Sequence, residues 1–173
     1  GGSGSTRNVT ITPVSNASGS ALITISVSDG QISVSSQFNL TVTSVNDVPT
    51  ITSMANLAIS EDSSTSAISF TIGDVETTWS SLVVSATSSN QTLVPDTNFV
   101  FGGTLADRTV TITPVANNFG TATITVRVTD GGALWAETAF LLTVNSVNDS
   151  PTITAIADAT IAEDSVTSDL PFT

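Results

Sequence analysis

Apolar and polar residues alternate with a period of two along most of the chain. In 121–129, Ala122, Ile124, Val126 and Val128 point one way, and Thr121, Thr123, Thr125, Arg127 and Thr129 point the other. Phe140, Leu142 and Val144 alternate in the same way with Leu141 and Thr143, and Val110 and Ile112 stand out within 109–113. Such a period belongs to a strand with one face buried and the other in water. β-Branched residues abound and strong helix formers are sparse, which suits strands. Extending the alternation outward predicts seven strands mid-chain: 51–60, 66–72, 80–86, 92–102 (broken by Pro95), 107–113, 121–129 and 134–145. Their outward faces are Ser/Thr, polar but nearly uncharged.

The pattern also repeats over a longer distance. "NVTITPVSNASGSALITISVSDG" (8–30) returns as "TVTITPVANNFGTATITVRVTDG" (109–131), an offset of 101 residues. "FNLTVTSVNDVPTIT" (38–52) returns as "FLLTVNSVNDSPTIT" (140–154) at an offset of 102, the extra residue being Gly132 in a turn. Further on, Ile161, Glu163, Asp164, Phe172 and Thr173 answer Ile59, Glu61, Asp62, Phe70 and Thr71. A period near 100 residues is too long for solenoid units and suits whole sandwich domains in tandem. Seven short antiparallel strands in that length are the signature of an immunoglobulin-like β-sandwich. The chain therefore reads as all-β. Residues 48–147 form a complete repeat, 1–47 the C-terminal half of a preceding one (strands five to seven), and 148–173 the first two strands of a following one. "GGSGST" at the start aligns with "FGGTLAD" (101–107) and is read as part of the repeat.

Strand direction largely alternates in such a sandwich, so each loop can be assigned to one end. Strand one ends at the lower pole, at Glu61-Asp62. Strand two ends at the upper pole, at Asp74 and Glu76 of "GDVE", and strand six ends there too, at Asp130. Asn46-Asp47 brings the chain to the upper pole, and strand seven leaves the lower one through Asn148-Asp149. With Asp29, Glu163 and Asp164 in the flanking repeats, ten of the fifteen acids lie at poles; Asp96, Asp107, Glu137, Asp158 and Asp169 do not. Only Arg7, Arg108 and Arg127 are basic, for a net charge of −12. Clustered carboxylates repel unless a positive group sits among them, and Ca²⁺ takes six to eight oxygens from carboxylates, amide side chains and carbonyls.

The charge balance argues against nucleic acid and against anionic membrane surfaces. Cys and His are absent, which removes disulfides, thiolate sites and imidazole catalysis. Lys is absent as well, so Schiff-base chemistry and Lys–Asn isopeptide crosslinks are excluded. No apolar run approaches the roughly 20 residues that span a bilayer, so no membrane insertion is expected in this segment. No secretory leader opens the chain, and an opening in mid-repeat leaves export undecided. A carboxylate pair could in principle hydrolyse glycosides, but these acids sit at poles and linkers, and the chain reads as no enzyme.

The segments "SVNDVPTIT", "AISED", "TIGDVE" and "VTDGG" resemble the tandem immunoglobulin-like, cadherin-like repeats of large bacterial surface and secreted adhesin-type proteins, over essentially the whole chain. The resemblance implies an interdomain calcium. A Glu ending strand one of the upper domain, an Asn-Asp linker, an Asp-x-Asp after strand two and an Asp after strand six would hold it. It assigns Asn46, Asp47, Asp74, Glu76 and Asp130 to one incomplete site, and Glu61, Asn148 and Asp149 to the start of the next. Departures are visible. Ser44 stands at the linker's usual first Asp, the stretch from Asn46 to Pro49 is one residue short, "VANNFGTA" lacks the usual Glu, and Glu76 replaces the second Asp after strand two. Fewer ligands imply fewer or weaker ions. The implied role is a structural or adhesive segment of a long extracellular or cell-surface protein, a semi-rigid stalk or filament stiffened by calcium. Its partners would be neighbouring repeats, with head-to-tail self-assembly through the incomplete ends and surface glycans or proteins as further candidates.

Plainer readings stand beside these. Asp29-Gly30 and Asp130-Gly131 are ordinary hairpin-turn pairs, Asn-Asp before Pro is an ordinary Asx turn, and Asp62 suits a solvated loop. Trp79 and Trp135 both map near the upper pole, and Ser33 answers Trp135 in the preceding repeat. Such a pair could stack on a sugar ring, giving the alternative of a carbohydrate- or protein-binding module of a secreted protein, or it could plug the end of the sandwich. Asn8, Asn16, Asn39, Asn90 and Asn148 open Asn-x-Ser/Thr sequons, which chance supplies in so Ser/Thr-rich a chain.

Overall fold

The computed structural model describes residues 5–173. The alignment of "GGSGST" with "FGGTLAD" therefore falls mostly outside the described residues. The first element is a hairpin, β1 (Gly19–Ser28) paired antiparallel with β2 (Ser33–Val42). Eight strands follow: β3 (Thr50–Ile51), β4 (Leu57–Ser60), β5 (Ile68–Gly73), β6 (Val83–Ser88), β7 (Phe99–Thr104), β8 (Asp107–Ile112), β9 (Gly120–Thr129) and β10 (Trp135–Asn145). They form two facing four-stranded sheets, ordered β4-β10-β9-β6 and β3-β5-β8-β7. All pairings are antiparallel except β4 with β10, which run parallel with Leu57 opposite Leu142.

The core is the inward face that the alternation marks. Ile124, Val126 and Val128 of β9, Leu142 of β10, and Val110 and Ile112 of β8 are fully buried, with Phe70, Ile72, Phe140 and Val144 packed among them. Each fully buried aliphatic or aromatic side chain stabilises the fold by about 1.5–3 kcal/mol relative to exposure.

Two strands differ from the sequence expectation. The expected strand 51–60 is split between the sheets: β3 pairs with β5 and β4 with β10. Between them Met54 turns inward, and the Asn56 side-chain carbonyl accepts the Leu141 N–H at 2.8 Å. The expected strand 92–102 begins only at Phe99, because Leu93 and Val94 are both buried and neighbours in a strand point to opposite faces. A turn solves this. The Asn90 carbonyl accepts the N–H groups of Leu93 and Val94, and Asp96 accepts the Ser88 N–H at 2.9 Å and the Gln91 amide at 2.6 Å. A 3₁₀ turn, Asp96–Asn98, then leads into β7.

The flanking segments form fewer strands than expected. Of strands five to seven expected in 1–47, only β1 and β2 form among the described residues. In the complete sandwich β8 is held by both β5 and β7; 1–47 contains no counterpart of β5, and the residues that align with the end of β7 fall mostly outside the described ones. Residues 148–173 carry no strand, since β5 depends on β8 for its ladder. The local geometry is nonetheless copied. Thr154 N–H donates to the Thr173 carbonyl and Thr173 N–H to Thr154 Oγ1, both at 2.9 Å. Thr52 and Thr71 make the same pair at 3.0 and 2.8 Å. Asp62 and Asp164 share positive φ (62° and 60°), as do Asn16 and Asn117 (both 58°).

Candidate metal-binding poles

The upper pole gathers the linker before β3, the loop after β5 and the turn after β9. Asn46 donates its side-chain N–H to Asp130 Oδ2 at 2.7 Å. Asp130 is only 6% exposed, and its Oδ1 accepts the Leu134 N–H at 2.8 Å across the β9–β10 turn. Gly132 makes this approach possible: a Cβ there would lie 2.7 Å from Asn46 Nδ2. Gly132 is the residue that the preceding repeat lacks. The Asp47 N–H donates to Glu76 Oε2 at 3.0 Å, which ties the linker to the loop after β5. Asp74 Oδ1 accepts the N–H groups of Glu76 (2.9 Å) and Thr77 (2.6 Å), an Asx turn. Asp74 Oδ2 is buried and has no hydrogen-bond partner. Turn chemistry accounts for the first oxygen and leaves the second without a role, and an unpaired buried acceptor costs about 1–3 kcal/mol. Pro49, fully buried, fixes the linker against the sandwich.

Above this pole lies a cavity of about 210 Å³, between the 13–18 loop of the preceding segment, the linker and Glu76. Asp47 and Glu76 line it. All five residues assigned to the upper site are thus held at one end of the sandwich by hydrogen bonds between loops or within them.

At the lower pole, Glu61 is 6% exposed. Its backbone N–H donates to the Asn145 carbonyl at 2.8 Å, and its Oε1 accepts the Val147 N–H at 2.7 Å. Glu61 therefore meets the chain where it enters the next linker. Asn148 and Asp149 are exposed, and the hydrogen bond between them is local, Asn148 Nδ2 to the Asp149 carbonyl at 3.2 Å. Asp62 is exposed, as a solvated loop residue is, and its Oδ1 also accepts the Asn117 N–H at 2.9 Å, which ties it to the loop before β9. Among the described residues no three acidic side chains converge closely enough to hold an ion unaided. Amide and backbone oxygens would have to complete either set.

Asp29 repeats the Asp130 turn in the preceding hairpin. Its Oδ1 accepts the N–H groups of Ile32 (2.8 Å) and Gln31 (2.9 Å), and these bonds, Ile32 first, hold its carboxyl below the ordinary value of 3.8.

The tryptophans do not plug the sandwich. Trp79 is 46% and Trp135 47% exposed, and the buried residue of the loop after β5 is Leu82. Trp79 lies in a 3₁₀ turn, Trp79–Ser81, between β5 and β6, and Trp135 opens β10. The Trp79 carbonyl accepts Arg108 Nη2 of β8 at 2.8 Å, whereas the Trp135 ring lies 4.1 Å below the Arg127 guanidinium of β9. Arg127 also pairs with Glu137 at 3.0 Å. This trio escaped the sequence reading. The signal was present, because pairing β9 with β10 across the Asp130 turn sets Arg127 opposite Glu137.

No family model and no curated protein matches the chain. Solved structures do. "Protocadherin gammaB7 EC3-6 cis-dimer structure" is 19% identical with a TM-score of 0.52, covering 80% of this chain and 34% of that one. "Protocadherin Gamma B2 extracellular cadherin domains 1-5" is 15% identical with a TM-score of 0.53, covering 78% and 26%. "Structure of surface layer protein SbsC, domains 1-6" is 16% identical at a TM-score of 0.47, covering 79% and 18%. The chain thus spans about a third or less of these structures. At such identities the likeness concerns the fold alone: the chain is all-β, with an immunoglobulin-like sandwich of the kind found in cadherin domains.

Proposed function

We propose that this chain is a structural or adhesive segment of a long extracellular repeat protein, with 48–147 as its complete repeat and calcium as the stiffener of its joints. The observation that carries the reading is the upper pole. Asp74 holds a buried carboxylate oxygen with no partner, at the same end of the sandwich as Asn46, Asp47, Glu76 and Asp130, in a chain without Lys or His. Those donors fit a hard cation that takes carboxylate and amide oxygens. When bound, calcium would supply the positive centre that the acids lack. The protein's own part is orientation. Asp130 engages the amide nitrogen of Asn46, leaving that side chain's oxygen as the ligand atom. Glu76 fixes the linker through the Asp47 N–H. Glu61 begins an equivalent arrangement below, with Asn148 and Asp149 following it in the chain. The joint would thereby lose bend and twist, as a stalk or filament requires. No catalytic role is proposed.

Thermal melting of the chain in millimolar calcium and in EDTA tests the reading. Extracellular calcium modules bind at about 10⁻⁴–10⁻³ M. At about 10 mM the ion stands roughly ten to one hundred times above that dissociation constant and adds about 1.4–2.7 kcal/mol. Superimposable melts in calcium and EDTA refute it.

A further inference from the structure

The hairpins β1–β2 and β9–β10 are two copies of one unit in one register. Positions that differ between them without disturbing the ladder are free of folding constraint. Thr129 faces Trp135 and Arg127 faces Glu137 in the second hairpin, where the first pairs Ser28 with Ser33 and Ser26 with Ser35. The Ser26 and Ser35 hydroxyls bond each other at 2.7 Å, so this ladder closes without ring or charge. In the complete repeat the same places carry a guanidinium 4.1 Å over an indole and 3.0 Å from a carboxylate. All three residues lie on the outer face, because Ile124, Val126 and Val128 fill the inner one. Exposed ion pairs contribute about 0–1 kcal/mol and exposed cation–π contacts about 0.5–1 kcal/mol. Stability gives weak reason for a half-exposed tryptophan here, with Val83 (64% exposed) in the same cross-strand row. Alongside runs a shallow cavity of about 160 Å³ lined by Ser85, Thr87, Thr125, Arg127 and Glu137.

We propose that this outer face binds a neutral sugar ring. Arg127 covers one face of the indole, and the half-exposed remainder of the ring is the apolar plate offered to the C–H face of a pyranose. Guanidinium, carboxylate and Ser/Thr hydroxyls beside it supply both donors and acceptors, as a ring of hydroxyls requires. Charge selects among ligands. Arg127 and Glu137 cancel, so the patch offers no surplus charge for a cationic peptide, and the chain's net charge of −12 repels sulfated, sialylated or phosphorylated glycans. The site is one ring in size.

The experiment is an NMR titration of the ¹⁵N-labelled chain with neutral gluco-, galacto-, manno- and xylo-oligosaccharides and with sialylated and sulfated counterparts, in EDTA. The test variant is the triple R127S/W135S/E137S, which carries the serines that the β1–β2 ladder already accommodates. Expected are saturable shifts of the Trp135 indole N–H and of the amides of Ser85, Thr125, Arg127 and Glu137 with at least one neutral sugar, weakened at least tenfold in a folded triple variant. Trp135→Ser alone weakens binding to a similar extent. No saturable shift with any neutral sugar up to about 20 mM overturns the proposal, that concentration being well beyond a useful affinity for one ring. Undiminished binding by the triple variant, or a preference for the anionic sugars, overturns it as well.

Discussion

Asp74→Asn separates the turn from the metal. The amide keeps an oxygen for the Glu76 and Thr77 N–H groups, so the Asx turn survives, while the charge and the unpartnered Oδ2 are removed. Without calcium, burying an amide in place of a carboxylate removes the cost of a buried charge, and the unpartnered amide nitrogen takes over part of the burial cost. The net effect in EDTA is expected between zero and about 1 kcal/mol of stabilisation. With about 10 mM calcium the variant loses a charged ligand and most of the roughly 1.4–2.7 kcal/mol that the ion adds. For a domain near 100 residues each kcal/mol moves the melting temperature by about 4–8 °C. Wild type should therefore gain on the order of 10 °C from calcium, and Asp74→Asn only a small part of that. Asp74→Ala provides the contrast, because it strands two N–H groups and destabilises in both buffers by about 1–3 kcal/mol. Differential scanning calorimetry of the three proteins in calcium and in EDTA reads all of this. Equal calcium increments in wild type and Asp74→Asn would refute the assignment of Oδ2 to a metal.

Gly132→Ala should push the Asn46 side chain off Asp130, since the new Cβ would sit 2.7 Å from Nδ2; calcium affinity measured by calorimetric titration should fall about tenfold while the EDTA melt moves by less than about 1 kcal/mol. Leu142→Ala, at a fully buried site, should cost about 2–5 kcal/mol by urea denaturation, whereas Leu22→Ala on the exposed face of β1 (60% exposed) should cost almost nothing. For Asp29 the sign is that of a depressed carboxylate: its contribution to the β1–β2 turn is present above the unfolded pKa and is lost as pH falls through the lower folded value. The Gln31 and Ile32 amides should accordingly titrate by NMR with a midpoint below 3.8, and Asp29→Asn should abolish that titration.

What the sequence disclosed followed from periodicity and parity. Ala122, Ile124, Val126 and Val128 alternate strictly with threonines and one arginine, so β9 and its core face were legible residue by residue. Counting strands placed Asp74 and Asp130 at one end and Glu61 at the other, and the hydrogen bonds Asn46–Asp130 and Glu61–Val147 join the linkers to those ends. The losses have equally local causes. Leu93 and Val94 form an apolar pair that reads as strand and buries as a turn, because Asn90 and Asp96 capture the backbone with side-chain and main-chain bonds that periodicity cannot register. Met54 marks a crossing between sheets, a tertiary event with no alternation to announce it. The orphaned oxygen of Asp74 depends on how one loop folds over its own carboxylate, and no count of acids would reveal it.

The most direct test of the central claim is a calcium titration of the ¹⁵N-labelled chain followed residue by residue. Saturable shifts should concentrate in the linker 44–49, the loop 73–77 and the turn 129–134, with the Asn46 side-chain amide among the largest, and should vanish in Asp74→Asn. An absence of saturation at about 10 mM calcium, above the usual range for extracellular modules, would contradict the account. So would weak shifts spread evenly over all acids, Asp96 and Asp107 included.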